Sequence, residues 1–226
     1  GAVLGQVPGG PGVPHLADPE RLLTSAARIY GDEMDRLWGE MRPVPRDQLV
    51  ALDDEDSVPL GGREALALDT PGHASHHLSY VVGNVCFTGD VGGVRIPGET
   101  HVALPLAPPE IDLGAWRNSL ARLRTAVDRH DEARLAPTHF GVYDDASAHL
   151  DRLARALDAA AAWTADTVPP RADDEAALRE AATAWMRDRA AADGVDDAAW
   201  ARYEQANPSW MAALALRRYW KKHVAA

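Results

Sequence analysis

One cysteine, Cys86, stands in a chain of 226 residues. A lone thiol cannot close an intrachain disulfide, which argues against a secreted, disulfide-stapled scaffold. Cys86 lies in the apolar run Val85-Cys86-Phe87 with no cationic neighbour in sequence, so it reads as a small buried hydrophobe and not as a thiolate nucleophile. Long apolar runs are lacking too. No window approaches the length of a membrane span, and the first basic residue is Arg21, so the sequence holds neither a spanning pattern nor the charged start of a signal peptide. Positive charge is in deficit: 23 Lys and Arg against 34 Asp and Glu leave −11 at pH 7, which repels a phosphate backbone or an anionic membrane face. These absences point to a cytoplasmic protein that acts on a small molecule, with neither nucleic acid nor membrane as partner.

What is present suits a globular fold. Hydrophobic residues make up 46% of the chain and charged ones 25%, and the 18 Gly and 16 Pro follow no period, which excludes disorder and collagen-like order. The segment from Gly1 to Pro14 is rich in Gly and Pro and reads as a loop. Asp18-Pro19-Glu20 is a helix-start signal, and Leu22, Ala26, Ile29, Tyr30, Leu37, Trp38 and Met41 share a helical face that Gly31 interrupts. The run from Pro43 to Arg63 reads as a connection with one short strand at Gln48 to Leu52. From Glu64 the period shortens to that of strands. Leu78 to Val82 and Val85 to Thr88 flank Gly83-Asn84, the signature of a tight hairpin, so three strands are expected between 64 and 89.

Asp112 is placed to cap a helix bearing Trp116, Leu120, Leu123 and Val127 on one face. A short strand follows from Leu135 to Phe140, and a further helix from about Asp145. The layout is of α/β type. Thr167 to Asp174 is a Pro-containing acidic break, beyond which Glu175 to Ala192, Ala198 to Gln205 and the stretch from Asn207 read as helices. Trp185, Trp200, Trp210 and Trp220 in this tail are too many for a solvated appendage, and a helical unit packed on the α/β part is expected, with a substrate lid or dimer surface as the other reading.

Chemistry concentrates in Asp69-Thr-Pro-Gly-His73-Ala-Ser-His76-His77, in Phe87-Thr-Gly-Asp90 and in Thr138-His139-Phe140. His73, Asp90 and His139 each fall just after a predicted strand, where a rigid element fixes a side chain while its end opens to a cleft. Two imidazoles and a carboxylate suit zinc or iron and suit magnesium or calcium poorly. His76 and His77 adjoin His73, and one of them could orient it or a substrate through a hydrogen bond. Asp69 could orient the same turn or cap it. His101, His130, His149 and His223 have no partner pattern and read as surface residues. Arg95 and the loop from Gly92 to Pro109 read equally as a cleft border or as a passive connection.

Thr-Pro-Gly-His at 70–73, a strand pair ending Phe-Thr-Gly-Asp at 87–90, and Thr-His-Phe at 138–140 together resemble the second half of the metallo-β-lactamase-fold hydrolases. The resemblance covers about residues 15 to 163. It implies a partial αββα sandwich in residues 1–166, with 1–14 a loop or truncated start, and a helical extension in 167–226. It further implies that His73 binds a first metal, that Asp90 bridges two, and that His139 binds the second, with one or two zinc ions and iron as the alternative. The implied activity is hydrolysis by a metal-activated water. A non-catalytic binding module and an iron-dependent oxidoreductase of the same fold are the competing readings. The sequence departs from the family in one respect: it contains no His-x-His, so the motif His-x-His-x-Asp-His is absent, and His15 in Val-Pro-His-Leu is not read as a ligand. Together with the start at Gly1, this suggests truncation after the main metal motif, weak metal binding, and an exposed apolar sheet face and edge.

Overall fold

The structure, a computed structural model, describes residues 3–6, 12–37 and 39–225. The chain forms two compact units, residues 1–56 and 57–226.

In the first unit, strand β1 (Val3–Gln6) pairs in parallel with β2 (Leu49–Leu52), in the register Val3 to Leu49 and Gln6 to Leu52. Helices α1 (Gly12–Ala17), α2 (Glu20–Tyr30) and α3 (Met34–Leu37) lie between them in sequence. β1 and α1 correct the reading of residues 1–14 as a loop. Pairing between segments far apart in sequence gives Val3–Gln6 its conformation despite the Gly and Pro around it, and residues 1–2 and 7–11 of that segment lie outside the described residues. The Asp18 carboxylate accepts from the Glu20 N–H at 3.3 Å, and Gly31, at φ +51°, ends α2 where the sequence placed the interruption. Trp38 lies outside the described residues.

The second unit is built on a five-stranded sheet in the order β3 (Ser57–Leu60), β4 (Arg63–Asp69), β5 (Leu78–Val82), β6 (Val85–Gly89) and β7 (Arg134–Pro137). The strands from β3 to β6 pair antiparallel with one another in succession, with Gly83-Asn84 turning β5 into β6. β7 is parallel to β6 and is reached through α4 (Leu113–Val127), because a parallel partner needs a crossover. β3 was not foreseen. Pro59 lowers its strand propensity, and Pro is tolerated there because β3 is an edge strand.

Asp112 caps α4 as expected, its carboxylate accepting from the Ala115 N–H at 2.9 Å. Along β6 and β7, Cys86 and Leu135 face a core that also holds Trp116, Leu120 and Leu123 of α4 and Leu150, Leu153 and Leu157 of α5 (Ala146–Thr167). Cys86 is buried there, and burial pushes its thiol up to about 12, which leaves it inert as a nucleophile. On the opposite sheet face the row Ala67, Tyr80, Phe87 and Ala136 runs across four strands. Phe87 is 46% exposed while Ala67 and Ala136 are buried, so the expected open apolar face narrows to a few side chains.

Beyond the break at 167–174 come α6 (Glu175–Ala192), α7 (Asp197–Ala206) and α8 (Ser209–His223). Their apolar residues enter the same cores as the sheet region. Met186, Ala212, Ala215 and Leu216 join the α4–α5 core, and Ala190, Val195, Ala199 and Tyr203 pack with Val94, Ile96 and Ala103. Trp163 of α5 and Trp185 of α6 stack with ring centroids 5.1 Å apart. Among the described residues no helix is long and apolar enough to cross a membrane.

Two histidines read as surface residues are buried instead. His149 is fully buried on α5 and its Nε2–H donates to the Gly92 carbonyl at 2.8 Å, and His101 sits 2.6 Å from the Asp193 carboxylate. Each has a partner remote in sequence that no local pattern announces. His130 and His223 are exposed, as expected.

Burial lowers the His149 pKa from 6.5, with only partial opposition from the Gly92 bond. The unfolded chain therefore binds a proton more readily than the folded one, so this contribution to stability is complete above about pH 6.5 and is lost as pH falls from there toward the lower folded value. Urea unfolding at pH 7 and pH 5.5 should show a smaller acid loss for His149→Gln, whose amide can still donate to Gly92 but does not titrate. Equal losses in the two proteins would refute this origin.

Candidate functional site

The three candidate ligands leave the sheet at one edge. His73 lies in the turn after β4, Asp90 directly follows β6, and His139 comes two residues after β7. Parallel pairing of β6 and β7 puts the last two ends side by side, with Gly89 opposite Pro137. The three side chains meet: His139 Nε2 donates to Asp90 Oδ1 at 3.2 Å, and His73 Nε2 lies 3.8 Å from Asp90 Oδ2. Each carboxylate oxygen thus faces one imidazole.

Every residue of the Thr-Pro-Gly-His turn has a structural task. Ser119 Oγ donates to the Pro71 carbonyl at 2.6 Å, and the Asp112 N–H donates to the Gly72 carbonyl at 2.8 Å, which ties the turn to the start of α4. Gly72, at φ +145°, lies so close to the helix that a Cβ there would stand 2.4 Å from Trp116 Cβ. The Trp116 indole donates to the Val91 carbonyl at 2.8 Å, and His73 sits edge-on to its ring. His73 Nδ1 donates to the Pro105 carbonyl at 2.9 Å, which leaves its Nε2 as the lone-pair atom turned toward Asp90.

His77 orients Asp90 through the backbone. The Asp90 N–H donates to His77 Nε2 at 3.1 Å, so the ring proton must sit on Nδ1, 2.9 Å from Thr70 Oγ1. Thr70 Oγ1 also lies 2.8 Å from Ser79 Oγ, and Ser79 Oγ lies 3.3 Å from the Thr88 carbonyl. The acceptor role of Nε2 toward the Asp90 N–H requires a neutral His77. Burial supplies that neutrality, pushing the His77 pKa down to about 4 against the pull of Asp90.

At Asp90 burial favours the neutral acid. The hydrogen bond from His139, with the neighbouring imidazoles adding to it, outweighs this and holds the carboxyl below its usual range. An ionised carboxylate between two imidazole nitrogens is the donor chemistry of a zinc or iron site. The number of donors falls short of a closed site. Among the described residues no group of three or more His, Cys, Asp or Glu side chains is placed to hold a metal ion, since both imidazoles address Asp90 and not a common point.

The remaining candidates serve the frame. Asp69 closes β4 opposite Leu78, and its carbonyl accepts from Arg122 at 3.2 Å. His76 lies in the turn near Glu110, whose carboxylate accepts from both Ser75 Oγ and the Ser75 N–H. Arg95 is buried, paired with Asp145 at 2.6 Å and stacked on Tyr143, so it anchors the loop. That loop is not passive, because Pro105 within it holds His73. Nothing in the sequence marked Pro105, a main-chain acceptor 32 residues from its partner, and His77, expected to orient His73 or a substrate, bonds to the Asp90 N–H and Thr70 instead.

Substituting Gly89 tests the His77 contact. Gly89 and Gly61 both have φ +56°, but a Cβ at Gly89 would lie 2.3 Å from His77 Nε2, while one at Gly61 meets nothing within 4 Å. Both Ala variants carry a positive-φ backbone penalty of about 1–3 kcal/mol, with Gly89 in the glycine-only region at ψ −152°. Gly89→Ala should lose at least about 1 kcal/mol more than Gly61→Ala in urea unfolding, about the value of one hydrogen bond. Equal losses would remove His77 from the account.

Comparison with known proteins identifies the family and the fold. Residues 9–139 match the model of the metallo-beta-lactamase superfamily. The metallo-beta-lactamase fold-containing protein ST1585 of Sulfurisphaera tokodaii is 33% identical over 103 residues, 46% of this chain and 38% of that protein. The crystal structure of ST1585 from Sulfolobus tokodaii superimposes with a TM-score of 0.54 at 24% identity, over 68% of this chain and 57% of that one. The metallo-beta-lactamase family protein TTHA1429 of Thermus thermophilus gives 0.52 at 17% identity, over 93% of this chain and 62% of that one. The chain therefore spans less than two thirds of the length of these relatives. With more than half of its residues matched to the family model, and with the histidines and aspartate gathered at the sheet edge, the chain belongs to the metallo-beta-lactamase superfamily.

Proposed function

We propose that this chain carries part of the metal centre of a hydrolase acting on a small molecule, with His73, Asp90 and His139 as ligands and zinc as the metal. The observation that carries the reading is the Asp90 carboxylate with one imidazole Nε2 at each oxygen, 3.2 and 3.8 Å away. A bound zinc ion would supply a water ionised near neutral pH and a Lewis acid for the developing oxyanion. The chain's own residues prepare that chemistry. Asp90 offers two oxygens that point apart, which suits a bridging or shared ligand. His73 is held in the tautomer that ligates through Nε2 by Pro105, and His77 fixes the turn from which Asp90 projects. His139 rests on Asp90 and has only to lose its Nε2 proton to become a ligand.

A second reading, a binding module without hydrolytic chemistry, is favoured by the shortage of donors: three side chains, no His-x-His in the sequence, and no completed cluster among the described residues. Metal analysis separates the two. The purified full chain, equilibrated with zinc and desalted, should retain it at substoichiometric or single-equivalent level, and Asp90→Ala should weaken retention at least tenfold because it removes the ligand both histidines share. His73→Ala and His139→Ala should each weaken it as well. Zinc content unchanged by His139→Ala would overturn the three-ligand assignment, no retention at all would favour the binding module, and one equivalent of iron would direct the function to oxidoreduction.

A further inference from the structure

We propose that the groove between residues 96–97, Phe140 and α7 is the recognition pocket for the substrate, and that it takes an aryl group bearing a carboxylate, with the ring against Phe140 and the carboxylate on Arg202. Its assignment to a substrate rests on the hydrolase reading above, but the binding itself needs no metal.

Phe140 is the unusual residue. It directly follows the candidate ligand His139, the two ring centroids are 5.8 Å apart, and Phe140 is 48% exposed. Its φ is +68°, a conformation that costs a bulky residue free energy and that glycine or asparagine adopts more readily. Packing does not account for an aromatic ring left half in water at a strained position, and such strain gathers where ligands are held. Phe140 lines an open groove of about 270 Å³ together with Ile96, Pro97 and Ala206. That is just under the range of pockets for drug-sized ligands, so a single substituted ring suits it. Ile96 and Pro97 make the loop after Gly92 a border of this cleft.

The polar lining comes from the helical tail. Arg202 and Gln205, one turn apart on α7, line the groove and are exposed. Arg202 Nη2 donates to the Pro97 carbonyl at 3.4 Å, which holds the guanidinium at the lip, and among the described residues it is in no ion pair. An exposed cation is ordinary by itself. One that lines the same apolar groove as an exposed ring is complementary to an aryl carboxylate, because stacking and guanidinium pairing then act on two parts of one rigid ligand. A carboxylate is favoured over a phosphate, since one guanidinium balances one negative charge and a net charge of −11 opposes a dianion.

Titration of the full chain with sodium benzoate, without added metal and followed by backbone amide resonances, tests the pocket. The amides of Phe140, Gly141, Arg202 and Gln205 should shift saturably, while the Trp116 indole, bonded to Val91 in the core, should not. Benzamide, which lacks the charge, and acetate, which lacks the ring, should each bind at least tenfold more weakly. Arg202→Gln and Phe140→Asn should each lose at least tenfold in affinity, with an unmoved Trp116 resonance reporting an intact fold. Asparagine accepts the positive φ, so the second variant removes the ring and keeps the turn. Benzoate bound no better than acetate or benzamide, undiminished affinity in either variant, or shifts that do not saturate would each overturn the pocket. Zinc retention is read separately: benzoate bound by a chain that retains no zinc upholds the pocket and sinks the metal assignment, whereas zinc retained without benzoate binding sinks the pocket alone.

Discussion

The hydrogen bond from the Asp90 N–H to His77 Nε2 is the constraint on which the site depends. It is a backbone bond, so it fixes where the chain goes after β6 and not merely which rotamer Asp90 adopts. Its direction settles the tautomer of His77, whose Nδ1–H meets Thr70, and Thr70 is linked in turn to Ser79 and through it to the Thr88 carbonyl. The chain of hydrogen bonds thus leaves β6 at Asp90 and returns to it at Thr88, passing through the turn that carries His73. Two of the three candidate ligands are positioned by one closed path of hydrogen bonds. Such a path tolerates no proton on the wrong nitrogen, which is why a histidine buried enough to remain neutral is suited to its centre.

The third candidate, His139, reaches the same place by topology. A hairpin would have returned the chain to the far end of β6. The crossover through α4 makes β7 parallel to β6 instead, so both strands finish at the same edge, and Gly89 stands opposite Pro137. α4 serves both arrangements. Its first turn receives the Gly72 carbonyl through the Asp112 N–H, and Trp116 fills the space that only a glycine at 72 leaves open. Packing and site geometry are therefore not separable here: the helix that completes the parallel pair also presses the His73 turn into position.

Much of this was legible in the sequence because it is local. The Gly83-Asn84 hairpin, the Asp112 cap and the break at Gly31 are written within a few residues, and His73, Asp90 and His139 stand out because their motifs end strands. What escaped depends on partners distant in sequence. β1 needs β2, more than forty residues away, and β3 could be read only once its place at the sheet edge made Pro59 acceptable. His101 and His149 looked like surface residues because Asp193 and the Gly92 carbonyl, which accommodate them, lie 92 and 57 residues off. Pro105 gave no signal at all, since its contribution to His73 is a carbonyl oxygen that every residue type possesses.

The helical tail acquires its meaning from the same distance argument. Four tryptophans beyond residue 174 implied packing, but not against what. In the structure Tyr203 and Asn207 bond to the carbonyls of His101 and Leu104, on the segment whose Pro105 holds His73. A Gly- and Pro-rich loop such as 92–109 has little regular structure of its own to resist displacement, and Val94 pairing with Ala103 is its single isolated bridge among the described residues. Its position is borrowed from α6 and α7 on one side and from the pairing of buried Arg95 with half-buried Asp145 on the other. The orientation of His73 is then the last link in a chain of contacts that begins in the tail: helices hold the loop, the loop carbonyl holds Nδ1, and Nδ1 decides that Nε2 faces Asp90.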